Sequence, residues 1–414
     1  MSKSRFNLIL LLSLFFVVSC QNNKNLSDEA LLKHALKLHK EMATIDTHND
    51  TPLEFLRFGF DFSGEKNTAR GSRVDLLKME KGGLDAAFFA VFIRQEDCTP
   101  EKYKMVNKRA FEILDAVHVQ VAKFPNRAEL ATAPDDIYRI KKEGKRAIYI
   151  GVENGYPIGT DISMLKKFYD QGARYVTLCH TKNNQICDSS TDKDSLNDKG
   201  LSDFGREVVK EMNRLGMMVD VSHISDKSFY DVLQLSAVPV IASHSCSRAV
   251  CNNPRNLSDE MLTKMAEKGG VVQMCILSDY VKKVDKDSKR DSARRALFEK
   301  YKGFQNLTPK QDSMATAEWY MLEEKYPQKL ATVADVVNHI DHMVKVMGID
   351  HVGIGTDFDG GGGVDGCKDA SQMINITVEL LRRGYSDKDI KKIWGENFLR
   401  VFRQVQDYSL KTQG

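Results

Sequence analysis

Short apolar runs recur along the chain, each followed by a polar turn and then an amphipathic stretch. Eight stand out: 42–48 (MATIDTH), 85–93 (DAAFFAVFI), 146–153 (RAIYIGVE), 174–180 (RYVTLCH), 217–223 (MMVDVSH), 238–244 (VPVIASH), 270–276 (GVVQMCI) and 351–357 (HVGIGTD). They are rich in Val, Ile and Phe and mostly do not alternate with polar residues, the pattern of strands buried on both faces in a parallel sheet. Between most of them lie helical patterns. Residues 203–215 place Phe204, Val208, Val209, Met212 and Leu215 at a 3.6-residue period. Ser225 is a predicted N-cap for a helix over 225–235. Ser258, Asp259 and Glu260 suit the N-terminus of a helix over 258–268, and 332–347 and 387–404 read similarly. Eight strands alternating with helices predict an α/β fold, a TIM-like (β/α)₈ barrel. The competing architecture is an open doubly wound sheet, but no GxGxxG-type loop follows an early strand.

Residues 281–330 interrupt the alternation. The stretch is highly charged (KKVDKDSKRDSARR) and then helical, with Trp319 and Tyr320. It reads as an insertion near the seventh strand: a lid, a dimer contact or a solvated helical excursion.

The N-terminus breaks the pattern differently. Lys3 and Arg5 precede an apolar run of 11 residues, Leu8 to Val18, broken only by Ser13. That is too short to span a bilayer as a helix and suits the apolar region of a signal peptide. Val17-Val18-Ser19-Cys20 follows and resembles a bacterial lipobox, which predicts a signal peptide over 1–19, a lipidated Cys20, a polar tether to residue 27 and a folded domain over 28–414. The expected location is the bacterial cell envelope, with membrane attachment through the lipid rather than a span. Removing Lys3 and Arg5, and no acid, lowers the formal charge from +3 to +1. So small a charge, with no basic block carrying interleaved aromatics, argues against nucleic acid as a partner. Apolar residues make up 42% of the chain and charged residues 28%, which excludes disorder and fibrous repeats.

Beyond Cys20 there are seven cysteines, at 98, 179, 187, 246, 251, 275 and 367, without a zinc CxxC spacing. Export permits disulfides, and an odd count leaves at least one thiol free or bonded between chains. Cys179 and Cys275 lie inside apolar runs, as small buried hydrophobes do; Cys98 and Cys187 sit in loop-like stretches where pairing is open.

The chemistry is at the ends of the runs. Run one ends at His48, followed by Asn49 and Asp50; run three ends at Glu153, run four at His180, run five at His223, run six at His244 and run eight at Asp357. In a barrel these ends share one rim, where the loops build the active site. The chain has only 10 histidines, and four occupy such ends. Histidines and carboxylates converging on one rim indicate a hydrolytic metal site. In extended geometry His48 and Asp50 would point the same way and reach one ion.

Taken together, IDTHND (45–50), GVENG (151–155), RYVTLCHTKNN (174–184), GLSDFGREVVKEMNRLGMMVDVSH (200–223), PVIASHS (239–245), NPRNLSD (253–259), VGIGTDFDG (352–360) and LLRRGYSDKDIKKIWGENFLRVF (380–402) resemble the membrane (renal) dipeptidases, zinc metallopeptidases of amidohydrolase-like fold. The resemblance runs from about residue 40 to 404, interrupted mainly by 281–330. It implies two zinc ions per chain, one on His48 and Asp50, the other on His223 and His244, with Glu153 bridging. It implies that His180 contacts the substrate and the tetrahedral intermediate, that Arg255 pairs with the substrate carboxylate, that Asp357 handles the proton, and that Tyr280 contacts substrate. Asp359 reads as structural. Dipeptides would be the substrates, including ones with C-terminal D-residues and dehydropeptides, and a homodimer the assembly. Strand seven departs from relatives, with Cys275 near the place of an Asn, and the loop disulfide of some relatives would require Cys98 to pair elsewhere, such as with Cys187. Two other functions fit the same barrel: an N-acyl-amino-acid or lactam amidohydrolase, and an inactive surface-binding lipoprotein.

Overall fold

The second apolar run shows how the chain sorts itself into layers. In the computed structural model, which describes residues 26–413 except 58, 67–71, 195–196, 285–286, 302–303 and 305–306, this run is a strand whose alternate side chains enter two different cores. Ala87, Phe89 and Val91 pack outward beneath the helices, while Ala86 and Phe88 pack inside a barrel. Both faces are apolar, so the run shows no alternation in sequence although its side chains alternate in space.

The strands are β1 (Ile45–Asn49), β2 (Ala86–Phe92), β3 (Ala128–Leu130), β4 (Arg146–Glu153), β5 (Ala173–Thr177), β6 (Met218–Asp220), β7 (Ile241–Ser245), β8 (Val271–Met274) and β9 (Val352–Ile354). Eight follow in the order β1-β2-β4-β5-β6-β7-β8-β9, every pairing parallel. The ring closes just past β9. The Asp357 N–H donates to His48 O at 2.9 Å and the Asp50 N–H to Phe358 O at 2.8 Å. The fold is therefore the predicted (β/α)₈ barrel, each of the eight runs supplying one barrel strand. The addition is β3, which pairs with the start of β4 outside the ring; three residues are too few to leave a periodic signal.

The predicted helices form with the cap residue just outside each. They span Asp203–Leu215 behind Ser202, Asp226–Leu235 behind Ser225, Asp259–Glu267 behind Ser258 and Val333–Met347 behind Thr332, and each cap side chain accepts a backbone N–H of the first turn. The last predicted helix is interrupted by a π turn, Lys392–Glu396, before Asn397–Gln413. That final helix inserts Phe398, Val401, Phe402 and Val405 among Phe88, Tyr149 and Tyr175, plugging the end of the barrel opposite the loops. The interruption at 281–330 forms two helices, Ser288–Lys300 and Pro309–Lys325, with a small core of their own made by Leu297, Tyr301, Ala315 and Leu322. The seven cysteines among the described residues are all unbridged. Cys98 is exposed and Cys187 buried, so the pairing their loop positions left open does not form. Cys20 and the predicted signal peptide lie outside the described residues. Among the described residues no helix is long and apolar enough to cross a membrane.

Candidate active site

Strand β4 carries the logic of the site along one face. Ala147 and Tyr149 face inward at the plugged end. Gly151 comes next, then Glu153 at the open mouth, where it is buried. The glycine is a spatial requirement, because a Cβ there would lie 2.1 Å from the Tyr175 ring. Tyr175 uses that gap to reach across the barrel, and its hydroxyl lies 2.9 Å from His48 Nδ1.

Glu153 is the centre of the cluster. Its Oε2 lies 3.4 Å from His48 Nε2, and its Oε1 lies 3.1 Å from His223 Nε2 and 3.6 Å from both His244 Nε2 and His180 Nε2. His48 Nε2 is 3.8 Å from Asp50 Oδ2. Three sets of potential ligand atoms each fall within 4.8 Å of one another: His48, Glu153 and His244; Glu153, His180 and His223; His48, Asp50 and Asp357. The structure thus brings together all seven histidines and carboxylates singled out from the ends of the runs.

How they arrive differs from the sequence expectation. His180, His223 and Asp357 stand three residues beyond the last strand residue rather than at it. His223 and Asp357 adopt left-handed backbone, φ 73° and 60°, which turns each side chain back toward the mouth. Asp50 is not extended either. With φ −95° and ψ 18° it opens a short 3₁₀ helix, so a turn, not the pleat, brings it beside His48. His48 and His244 remain in strands, but each strand slips register there: between Asp46 and Asn49 against β2, and between Ala242 and Ser245 against β8. The slip lets consecutive residues, Thr47 with His48 and Ser243 with His244, both serve the interior. Gly360 closes the wall, where a Cβ would lie 2.1 Å from Asp50 Oδ2 and 2.3 Å from Asp357 Oδ1.

Arg255 and Tyr280 also meet at the mouth. Arg255 is buried, its guanidinium 5.3 Å from the centre of the Tyr280 ring, and its Nη2 donates to His244 O at 3.3 Å. Its Nε has no hydrogen-bond partner. Phe92, the last residue of β2, sets its ring edge-on to His180 at 4.8 Å. Cys275 Sγ lies 4.0 Å from Asp357 Oδ2. Asp359 is structural, as its sequence position suggested, accepting from Thr51, Ser72 and the Arg73 backbone.

A second layer escaped the sequence reading. Asp220 accepts from the Thr177 hydroxyl at 2.5 Å, the Ser243 hydroxyl at 2.6 Å and the backbone N–H groups of Ser222 and Ser243 at 3.0 and 2.8 Å. Asp46 accepts from the Thr356 backbone and hydroxyl at 2.7 and 2.8 Å, across the closing seam. The available signal was a single polar residue inside an apolar run: Thr177, Asp220 and Ser243 each occupy one.

Burial dominates the electrostatics. It lifts Glu153 to about 8 and Asp357 to about 7, and together with the Glu153 charge it pushes Asp50 well above the carboxylate range. Burial and the Arg255 charge hold His180 down at about 3 and depress His223 strongly. Burial, then His48 and Arg255, do the same to His244. His48 Nε2, Asp50 Oδ1 and His223 Nδ1 are buried without a hydrogen-bond partner. Neutral imidazoles beside carboxylates too crowded to ionise alone, with ligand atoms left unpaired, are a donor set that fits a bound cation.

A parallel barrel with such a mouth has the donor set of a metal-assisted enzyme. Comparison with known proteins narrows the class. Residues 32–414 match the family described as membrane dipeptidase (peptidase family M19). Dipeptidase tcpJ of Claviceps purpurea is 32% identical over 380 residues, covering 89% of this chain and 78% of that protein. Dipeptidase 3 of Mus musculus is 31% identical over 395 residues, covering 94% and 69%. The crystal structure of the probable dipeptidase PvdM from Pseudomonas aeruginosa has a TM-score of 0.77 at 33% identity, covering 92% of this chain and 99% of that one. The chain belongs to the membrane dipeptidase family.

Proposed function

We propose that the protein is a dizinc dipeptidase cleaving substrates with a free C-terminal carboxylate, including ones with a C-terminal D-residue and dehydropeptides. One observation carries the two-cation reading. Five carboxylates, Asp46, Asp50, Glu153, Asp220 and Asp357, are buried around the mouth against one buried guanidinium, Arg255. Five negative charges less one positive leave a formal deficit of four, which two divalent cations cancel. Glu153 divides its neighbours accordingly, one oxygen facing His48 with Asp50 close by, the other facing His223, His244 and His180. When bound, paired zinc ions polarise a carbonyl and lower the pKa of water to near neutrality.

The chain's own groups supply the rest. Asp357 accepts a proton and returns it to the leaving amine. His180, neutral at pH 7, donates one N–H to the scissile carbonyl oxygen. Arg255, with no carboxylate partner among the described residues, receives the substrate carboxylate, and Tyr280 backs the guanidinium. The separation between that carboxylate and the scissile carbonyl is fixed by one residue, which selects dipeptides over longer chains. It depends little on the hand of the second Cα, and a flat dehydro residue satisfies it equally.

The proposal extends to the cell. The folded domain is residues 28–414, a signal peptide ends before Cys20, and lipidated Cys20 anchors the enzyme in a bacterial envelope. Lys3, Arg5, the apolar run and the lipobox-like Val17–Cys20 support this; a homodimer, implied by the sequence resemblance, completes the proposal. The deciding assay compares a glycyl-L-dipeptide, a glycyl-D-dipeptide, a dehydropeptide, the C-terminal amide, a tripeptide and an N-acyl-amino acid, with metal content measured on the same preparation. Cleavage of the free dipeptides alone, with two zinc ions per chain, is the expected outcome. Preferential cleavage of the N-acyl-amino acid, or equal cleavage of free and amidated dipeptides, overturns the substrate assignment.

A further inference from the structure

We infer that Asp220 and Ser243 are positioning residues that set the proton on His244 and so aim its Nε2 at the metal site; the inference rests on the two-cation reading above. Ser243 has one hydroxyl proton, donated to Asp220 Oδ2 at 2.6 Å. Its Oγ also lies 2.9 Å from His244 Nδ1. An oxygen whose proton is already committed can only accept there, so the hydrogen in that contact belongs to His244 Nδ1. His244 Nε2 is then left with a bare lone pair. Nε2 is the atom 3.6 Å from Glu153 Oε1 and 2.9 Å from His223 Nε2.

Neither partner is free to turn. Asp220 is fully buried and takes four donors, from Thr177 at the end of β5, Ser222 just past β6 and Ser243 in β7. Ser222 in turn accepts the His244 backbone N–H at 3.1 Å. The register slip at Ser243 and His244 is what lets the serine and the histidine face the same interior. His223 lacks such a device: its Nδ1 is buried without a hydrogen-bond partner, and its direction comes from left-handed backbone. Ser243 Oγ also lies 3.5 Å from His48 Nδ1, but that nitrogen has a shorter contact with the Tyr175 hydroxyl at 2.9 Å, so the pair acts chiefly on the half of the centre that His244 serves. Partners of this kind, bonded to the far nitrogen of a metal-binding histidine, are worth roughly 10- to 100-fold in metal affinity.

The test titrates the zinc-loaded full chain with a competing chelator and counts bound zinc by elemental mass spectrometry. The wild type holds two equivalents. Ser243→Ala and Asp220→Asn each release one equivalent at a chelator concentration lower by about 10- to 100-fold, while the second follows the wild type. Ser243→Thr, which retains the hydroxyl, restores the first. Wild-type release of both equivalents in both variants overturns the inference, whereas a wild type holding fewer than two zinc ions overturns the two-cation reading instead. A readout independent of variant folding uses the wild-type chain labelled with nitrogen-15 histidine before zinc is added, with His244 assigned by the signal lost in His244→Gln. Hydrogen on Nδ1 is expected; hydrogen on Nε2, or an even mixture, overturns the inference.

Discussion

The barrel mouth and the helical insertion both carry many charges, but they use them in opposite ways. At the mouth, carboxylates and imidazoles are buried and interlocked, so each group is a ligand or partner of several others. In the insertion, apart from the buried Arg290, charges lie mostly on the surface in separate pairs such as Lys300 with Glu318 at 2.6 Å, beside a core of four buried side chains. Exposed pairs of that kind contribute about 0–1 kcal/mol each. Removing one member of a buried set strands the rest in low dielectric, where the penalty is several kcal/mol. Charge density alone therefore says little about function; what matters is whether water can reach it.

The sharpest way to break this contrast is at its centre. Glu153→Ala is expected to remove the group shared by both halves of the mouth. Dipeptide turnover should fall by more than the ~10²–10³-fold typical of losing one electrostatic donor, with the far-ultraviolet circular dichroism retained. Wild-type turnover in that variant would sink the assignment.

Next in size is Arg255→Ala. Losing a charge-assisted, bidentate contact is expected to cost on the order of 2–4 kcal/mol in kcat/KM, mainly through KM. Steady-state kinetics on a free dipeptide and its amide check this, since only the free dipeptide should respond. Gly151→Ala probes the support instead. A methyl 2.1 Å from the Tyr175 ring forces the ring away from His48. Overpacking of this sort costs about 1–3 kcal/mol, read as a lower melting temperature and, unlike a remote core change, as weaker zinc retention.

The smallest effects should come from the insertion. Leu297→Ala is expected to lower stability by roughly 2 kcal/mol while leaving kcat/KM within about twofold. Lys300→Ala should leave the melting temperature essentially unchanged, since water screens the exposed pair. A large loss of activity in either would show that the insertion works with the mouth, and the contrast would fail.

The same contrast governs what could be read from the sequence. All eight barrel strands were legible because burial on both faces leaves dense apolar runs, and the histidines and carboxylates at their ends were legible because such residues are out of place there. The helix starts followed from Ser225 and Ser258. Asp50, His223 and Asp357 do meet at the mouth, but by a route the sequence does not disclose, because left-handed backbone and turns leave no periodic trace. Register slips at His48 and His244 are likewise invisible to a two-residue period. Asp220 and Ser243 are polar residues inside runs whose apolar majority carries the signal, so nothing in the pattern sets them apart. In the insertion, helices were foreseen, but nothing in their weakly amphipathic pattern disclosed the separate core of Leu297, Tyr301, Ala315 and Leu322.

The seam that closes the ring joins His48 to Asp357, Asp50 to Phe358 and Asp46 to Thr356, the last pair 310 residues apart. Chemistry therefore straddles the first and last barrel strands. A ribosome must have made nearly the whole chain before these groups can meet, so a fragment that stops short of the last barrel strand lacks an assembled mouth. Contacts this distant also make ring closure a slow event in folding. Until it happens His48 and Asp50 have no Asp357 beside them, and the cluster at the mouth is incomplete in every partly made copy.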